Sequence, residues 1–135
     1  MPRPESTVSH SPTDATRLPP VDATVASRVP TLVQDLILGT AARQADRPAI
    51  RAGQVLVDYG PLAELLAATA TGLLGLGLGP RDRVAVYLPK TVETVASFFG
   101  TALAGGVFVP VNPVLKAPQV AHILRDSGAR VLVTS

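Results

Sequence analysis

Residues 83–111 read RVAVYLPKTVETVASFFGTALAGGVFVPV, and this stretch decides the fold of the chain. The run that begins at Arg83 is short, apolar and β-branched, which is typical of a strand buried on both faces of a parallel sheet. Apolar side chains then recur at helical spacing until Gly105 and Gly106, and a second apolar strand follows. Thr91 stands at the expected N-cap of this helix, and Glu93 complements its dipole. A strand, a helix and a strand in direct succession predict a right-handed βαβ unit.

The same alternation continues on both sides of this stretch. Downstream, APQVAHILRDSG (117–128) predicts a helix and ARVLVTS (129–135) a further strand. Upstream, PLAELLAATATGLLGLG (61–77) predicts a helix with Pro61 in its first turn and glycines at its end. The sequence therefore predicts an α/β fold with a partial parallel sheet, and the pattern leaves the order of the strands open.

Two further elements are expected near the beginning of this α/β region. PAIRAGQVLVDYG (48–60) predicts a β-hairpin that turns around Ala52-Gly53. TLVQDLILGTAARQA (31–45) predicts a helix that is capped by Thr31. The apolar face expected for this helix consists of Leu32, Val33, Leu36 and Ile37.

Composition limits the class of protein. The 135 residues carry a formal net charge of +2 without a basic cluster, and aromatic residues are few, so we expect no nucleic-acid partner. The chain has no cysteine, which excludes disulfides and thiolate metal sites and fits a cytoplasmic protein. Residues 1–30 are rich in Pro, Ser and Thr and lack apolar periodicity, so we interpret them as a disordered tail ahead of an α/β domain that spans 31–135.

Two motifs invite a functional interpretation that their context does not favour. The glycine-rich Gly72–Gly79 resembles a nucleotide-binding loop, but such a loop follows a strand and opens a helix, whereas this one ends a helix and precedes a strand. The uncharged Thr94–Val111 is long enough for a membrane span, but Gly105-Gly106 interrupts it and Pro110 follows. We therefore expect a helix cap and turn in the first case, and a buried helix followed by a strand, without a membrane span, in the second.

No residues form a recognisable catalytic constellation, and we assign no catalytic, cofactor-binding or metal-binding residue. Lys90 and Lys116 lie at strand-to-helix junctions, where ligands gather in open parallel sheets, although solvated loop lysines are the default interpretation. Histidine and serine side chains without a suitable neighbouring base or carboxylate complete the candidates: His10, His122, Ser97, Ser127 and Ser135.

The chain from Thr31 to Ser135 resembles the opening part of an AMP-forming acyl-CoA synthetase, a member of the adenylate-forming ligase superfamily. VDYGPL (57–62) occupies the place of the family's Leu-Ser/Thr-Tyr-x-Glu-Leu motif, with Tyr59 and Leu62 kept and Pro61 where Glu is usual. LAGGVFVPVNP (103–113) matches a second motif, in which a helix ends at Ala-Gly and a strand leads into Asn-Pro. Within the superfamily the chain is most similar to the acyl-CoA ligases associated with exosortase A systems.

The resemblance implies an enzyme that activates a carboxylic acid with ATP and Mg²⁺ to an acyl-adenylate and then transfers the acyl group to CoA. It also implies that this chain is an N-terminal fragment. The family's Pro-Lys-Gly phosphate loop, ribose-binding acidic residue and adenylation lysine find no matching motif here, so we expect the chain alone to be inactive. Some members carry a basic residue after Asn-Pro that reaches toward CoA, and this chain has Val114 there.

Two further expectations concern how the chain behaves by itself. Because its last strand would lack a completing neighbour, we expect the fragment to self-associate. The alternative to a ligase fragment is a stand-alone, non-catalytic α/β binding domain.

Overall fold

The computed structural model describes residues 32–135. The helices and strands of this part follow one another as α1 (Asp35–Arg43), β1 (Pro48–Ala52), β2 (Val55–Asp58), α2 (Tyr59–Gly75), β3 (Arg83–Tyr87), α3 (Val92–Leu103), β4 (Val107–Pro110), α4 (Ala117–Ser127) and β5 (Val131–Thr134). The predicted α/β class and the βαβαβ alternation are both confirmed.

The three later strands form a parallel sheet in the order β4-β3-β5. Val84 of β3 pairs with Phe108 on one side and Val131 on the other. Val84, Ala85 and Val86 are all buried, as expected for a strand with neighbours on both sides and helices on both faces. The first of the three strands in the sequence is thus the middle strand of the sheet.

The helices that cover this sheet lie on opposite faces. Val84, Val86 and Leu88 pack with Leu73 and Leu78, at and beyond the end of α2, and Phe98 of α3 packs against the same cluster. On the other face Ala85 packs with Val111 and with Val120 of α4. The connection from β3 to β4 and the connection from β4 to β5 run in opposite directions across the sheet, so right-handed crossovers place α3 and α4 on opposite sides.

The hairpin forms a separate two-stranded sheet, with β1 antiparallel to β2. Gly53 lies in the turn with a φ of 60°, a conformation that glycine adopts without the steric cost of a Cβ atom. The hairpin is fixed to the helices by a second apolar cluster, in which Ile37, Leu62, Leu66 and Ala96 are buried and Ile50 and Val57 pack against them.

Helices α2 and α3 approach each other closely at Gly100. A Cβ atom at this position would lie 2.6 Å from the Cβ of Thr69 and 3.1 Å from the carbonyl oxygen of Leu66. The first distance is too short for two non-bonded carbon atoms and the second is tight, so the two helices pack this closely because residue 100 is a glycine.

The first helix differs from its prediction. It begins at Asp35, with Gln34 at the N-cap, and the expected cap Thr31 lies outside the described residues. The reason is local: the carboxylate of Asp35 accepts a hydrogen bond from the Leu32 amide at 3.1 Å, which closes a turn ahead of the helix. The expected apolar face is also wrong in part, because of its four members only Ile37 is buried, and Leu32, Val33 and Leu36 are exposed.

Both motifs that invited a functional interpretation have structural roles. Gly72–Gly79 ends α2, and Gly77 adopts a φ of 83° in the turn that follows the helix. Thr94–Val111 divides into most of α3 and the strand β4. Among residues 32–135, no helix combines the length and the hydropathy needed to cross a bilayer.

Candidate functional site

A crevice opens between the carboxyl ends of β3 and β4. The loop after β3 leads to α3 on one face of the sheet, and the loop after β4 leads to α4 on the other, so the two loops diverge. In open parallel sheets, ligands bind where neighbouring connections diverge in this way. The crevice holds a cavity of about 440 Å³. Its lining consists of Val86, Leu88, Lys90, Thr94, Phe98 and Pro110–Pro113.

The loop after β4 is held by hydrogen bonds at each end. The Asn112 Oδ1 atom accepts a hydrogen bond from the Val114 amide at 3.1 Å, and the hydroxyl of Tyr87 donates one to the Leu115 carbonyl at 2.9 Å. At the start of α4 the Lys116 amide donates to Oε1 of Gln119 at 2.9 Å. This well-anchored loop displays Val114 with 73% of its surface exposed.

The loop after β3 is fixed by the first turn of α3. The hydroxyl of Thr94 donates a hydrogen bond to the Pro89 carbonyl, which anchors the backbone beside Lys90. Thr91 occupies the N-cap as predicted, but its side chain makes no hydrogen bond to the helix backbone. The Thr91 hydroxyl, followed by the Glu93 amide, stabilises the ionised carboxylate of Glu93 and lowers the pKa of this carboxyl below its ordinary value.

Lys90 and Lys116 both lie where the sequence places them, at the carboxyl ends of β3 and β4. They are not equivalent: Lys90 lines the crevice, whereas Lys116 is not part of its lining. The other candidates do not meet in a site. Ser97 is buried and donates to the Glu93 carbonyl at 2.7 Å, Ser127 donates to the Leu124 carbonyl at 3.4 Å, and His122 is exposed on α4. Ser135 is exposed as well, and His10 lies outside the described residues.

The described residues do not fit ATP or Mg²⁺. No group of three or more His, Cys, Asp or Glu side chains in residues 32–135 is arranged to hold a metal ion. The one glycine-rich stretch that could suggest a phosphate loop ends a helix instead of opening one, so its amides do not face a ligand as those of a phosphate loop do. We therefore derive no catalytic step from this part of the chain.

Sequence reasoning missed the features that shape the crevice. Phe98 of α3 stacks on Phe108 of β4, with ring centroids 4.9 Å apart, and Phe98 thereby forms one wall. The hydrogen bond of Tyr87 could have been expected from the sequence, since a tyrosine at the end of an apolar strand has a hydroxyl that must reach a partner or water. The sequence gives no sign that Phe98 lines the crevice, because its helical spacing is equally typical of a core residue.

Comparisons with known proteins agree with this architecture. Residues 38–135 match the model of the family described as AMP-binding enzyme. A long-chain-fatty-acid–CoA ligase of Mycobacterium tuberculosis is 40% identical over 79 residues, which are 58% of this chain and 16% of the ligase. Surfactin synthase subunit 1 of Bacillus subtilis is 36% identical over 101 residues, which are 75% of this chain and 3% of the synthase.

The solved structures contain the same unit as part of larger chains. The N-terminal subdomain of NpsA from Klebsiella oxytoca, in complex with 3-hydroxyanthranilyl-AMSN, superimposes with a TM-score of 0.72 at 29% identity. The match covers 76% of this chain and 26% of that one. The chain thus spans less than a fifth of the length of the curated relatives it matches. With the family model matched over most of its length, the chain belongs to the AMP-binding enzymes, the adenylate-forming family of acyl-CoA ligases and peptide-synthetase adenylation domains.

Proposed function

We propose that this chain is the N-terminal part of an ATP-dependent, AMP-forming acyl-CoA ligase. The complete enzyme joins a carboxylic acid to AMP, releases pyrophosphate, and then transfers the acyl group to the thiol of CoA with release of AMP. It uses ATP, Mg²⁺ and CoA and works in the cytoplasm. The association with an exosortase A system, for which the relatives named above offer no support, stays a prediction.

The observation that carries the proposal is the family match over residues 38–135, which includes the crevice and the Asn112-Pro113 loop. The identity of 40% to the long-chain-fatty-acid–CoA ligase, and of 40% over 85 residues to feruloyl-CoA synthase of Amycolatopsis, favours a CoA ligase. Since this chain spans 16% and 17% of those relatives and its described residues fit neither ATP nor Mg²⁺, we propose that it is inactive by itself.

A second candidate function is supported by a specific observation. Surfactin synthase subunit 1 shows 36% identity over 101 residues, a longer stretch than the 79 and 85 residues matched in the two CoA-forming relatives named above. An adenylation domain of a nonribosomal peptide synthetase also makes an acyl-adenylate, but it passes the acyl group to a carrier protein instead of free CoA. The stand-alone α/β binding domain is the remaining alternative.

The deciding experiment compares residues 1–135 with the complete reading frame that encodes them. Each protein is assayed for pyrophosphate release with ATP and Mg²⁺ over a panel of fatty, aromatic and amino acids, and for AMP release with and without CoA. We expect acid-dependent pyrophosphate release only from the complete protein, and CoA-dependent formation of a thioester. Acid-dependent turnover by residues 1–135, free of host ligases, would contradict the proposed inactivity.

The outcomes of the panel also separate the alternatives. Adenylation of amino or aryl acids that CoA does not discharge would support the peptide-synthetase alternative. A reading frame that ends at Ser135 and shows no acid-dependent reaction would favour the binding domain.

A further inference from the structure

Helix α1 and the turn before it carry apolar side chains on two sides. On one side Ile37 is buried in the cluster that α1 shares with α2 and the hairpin. On the other side Leu32, Val33 and Leu36 have 57%, 43% and 54% of their surface exposed. We call these three side chains the α1 face. A helix that is apolar on several sides is ordinarily covered on each of them, so the α1 face is a surface that needs a partner.

The three side chains of the α1 face form one continuous surface. The amides of Asp35 and Leu36 donate hydrogen bonds to the carbonyls of Leu32 and Val33 at 3.0 and 3.4 Å, so the chain already winds like a helix from Leu32 onward. Residues three and four positions apart lie side by side on such a winding. Leu36 therefore lies next to both Leu32 and Val33, and a single apolar segment could cover all three.

The segment nearest to the α1 face is the one directly before it in the chain. Residues 1–31 lie outside the described part and join it at Leu32, within the face itself. At about 3.3–3.6 Å per extended residue, residues 21–29 reach roughly 30 Å. The nine-residue helix α1 is about 13 Å long, so this segment is long enough to run along all of it. A short connection costs little entropy to close, which gives this segment an advantage over a separate molecule.

The sequence of this segment suits an apolar contact. VDATVASRV (21–29) contains three valines, Val21, Val25 and Val29, separated by small or polar residues. Pro30 follows, and a proline disfavours helical conformation at the residue before it. We therefore expect the chain to leave the path of α1 at this point, which allows residues 21–29 to turn back along the helix.

The charges of the segment complement those of α1. Asp35 lies in the first turn of the helix and Arg43 in its last turn, and the ion pair found within residues 32–135 involves neither of them. A Cβ atom on Gly39 would lie 3.4 Å from the Arg43 Nη1 atom, so the guanidinium is folded back along the helix. A segment that runs back along α1 starts with Arg28 near Asp35. It then brings Asp22 toward Arg43, and such pairs fix the direction of a contact more than they stabilise it.

We propose that residues 21–29 fold back along α1 and cover Leu32, Val33 and Leu36. Burial of the valines against the α1 face stabilises the contact, and the charges at its two ends set its direction. The disordered tail predicted for residues 1–30 is thereby shortened to residues 1–20. The proposal does not depend on the proposed ligase activity, since it concerns the folding of residues 1–135 alone.

The test compares the thermal melts of valine variants of the full chain. Val25→Ser removes an apolar contact with the α1 face and should lower the melting temperature by about 4 °C. Val8→Ser is the matched control, because it makes the same change in the same tail outside residues 21–29, and it should melt as the unmodified chain does. In a chain that already carries Leu36→Ser, Val25→Ser should have little further effect, because its partner has been removed.

Amide chemical shifts of the ¹⁵N-labelled chain locate the contact in the folded protein. Val25→Ser should change the shifts of residues 36–40, which are too distant in the sequence for a local effect of the substitution. Val8→Ser should leave them unchanged. This measurement does not depend on how much stability either substitution removes.

Each of three results would overturn the proposal. Equal melting temperatures of Val25→Ser and Val8→Ser would show that residues 21–29 do not stabilise the fold. An undiminished effect of Val25→Ser in the presence of Leu36→Ser, or unchanged shifts at 36–40, would place the contact of Val25 elsewhere. Conversion of an oligomer to a monomer by Leu36→Ser, measured by sedimentation velocity, would show that a second copy of the chain covers the α1 face instead.

Discussion

Gly100 is the residue on which the packing of α2 against α3 depends most directly. The sequence marks it only as a glycine within a predicted helix, where glycine is ordinarily unfavourable. The structure supplies the reason, because the space for its Cβ is filled by Thr69. A single sequence cannot reveal such a contact, since the two residues lie on different helices.

Replacing Gly100 by alanine should therefore destabilise the fold. A Cβ atom 2.6 Å from the Cβ of Thr69 forces the helices apart, and overpacking of this kind costs about 1–3 kcal/mol. The free energy of unfolding from urea titrations measures the loss.

The matched control is Gly72→Ala on the exposed side of α2, where a Cβ atom would meet no other atom within 4 Å. Because alanine favours the helix, this variant should gain about 0.5–1 kcal/mol. If Gly100→Ala were as stable as Gly72→Ala, the close approach of the two helices would be refuted.

The elements show which local signals are reliable and which are not. The strands β3, β4 and β5 and the helix α4 lie where apolar runs, helical periodicity and glycines predict them. The predicted start of α1 was wrong because the Asp35 carboxylate accepts a hydrogen bond from the Leu32 amide. This side-chain contact forms a turn and competes with extension of the helix. At the start of α3 the position of Thr91 at the N-cap was predicted correctly, but its side chain makes no hydrogen bond to the helix backbone.

The first turn of α3 yields a prediction about pH. The Thr91 hydroxyl and the Glu93 amide lower the pKa of the Glu93 carboxyl in the folded protein, so ionised Glu93 favours folding. This stabilisation is complete above the ordinary pKa of a glutamate and is lost as the pH falls through the lowered folded pKa. At neutral pH the melting temperature of Glu93→Gln should therefore be lower than that of the unmodified chain. In strong acid the two proteins should have the same melting temperature.

Glu64→Gln serves as the control for this measurement, because Glu64 is an exposed glutamate of α2 beyond the first helical turn. The melting temperature of Glu64→Gln should differ little from that of the unmodified chain and should not show the decrease expected for Glu93→Gln at neutral pH. A Glu93→Gln difference that persists unchanged into acid would show that the carboxylate charge is not its cause.

At the scale of the whole molecule, the family and the α/β class could be predicted from the sequence, and the strand order could not. Apolar runs specify strands but carry no information about which strand lies in the middle. The crevice could not be predicted either. It forms where two loops diverge, and they diverge because the strand order is β4-β3-β5. The position of Lys90 at that end of the sheet was predicted, and its place in the lining of the crevice was not.

Self-association remains a prediction, and the sheet suggests where it occurs. Among the described residues β5 pairs with β3 alone, and Leu132 on β5 is 40% exposed. An unprotected strand of this kind can pair with a second copy, and a lysine on it opposes such pairing. Leu132→Lys should shift the protein toward monomer, with a dissociation constant raised about tenfold, as measured by sedimentation velocity.

Leu76→Lys is the control for this shift. Leu76 is 74% exposed but is the C-cap residue of α2 and belongs to no strand. If both lysine variants dissociate equally, non-specific association through exposed apolar side chains explains the result better than strand pairing does. A monomeric unmodified chain at all concentrations would refute the prediction itself.

The central position of β3 also has a consequence for synthesis on the ribosome. Both neighbours of β3 come later in the sequence, so the strand leaves the exit tunnel before either can pair with it. Translation adds about 5–20 residues per second, which is slow compared with chain collapse. The apolar segment Val84–Val86, which is buried in the folded protein, is therefore unpaired in the nascent chain until β4 and β5 emerge. We expect a ribosome-bound chaperone to bind this segment during that interval.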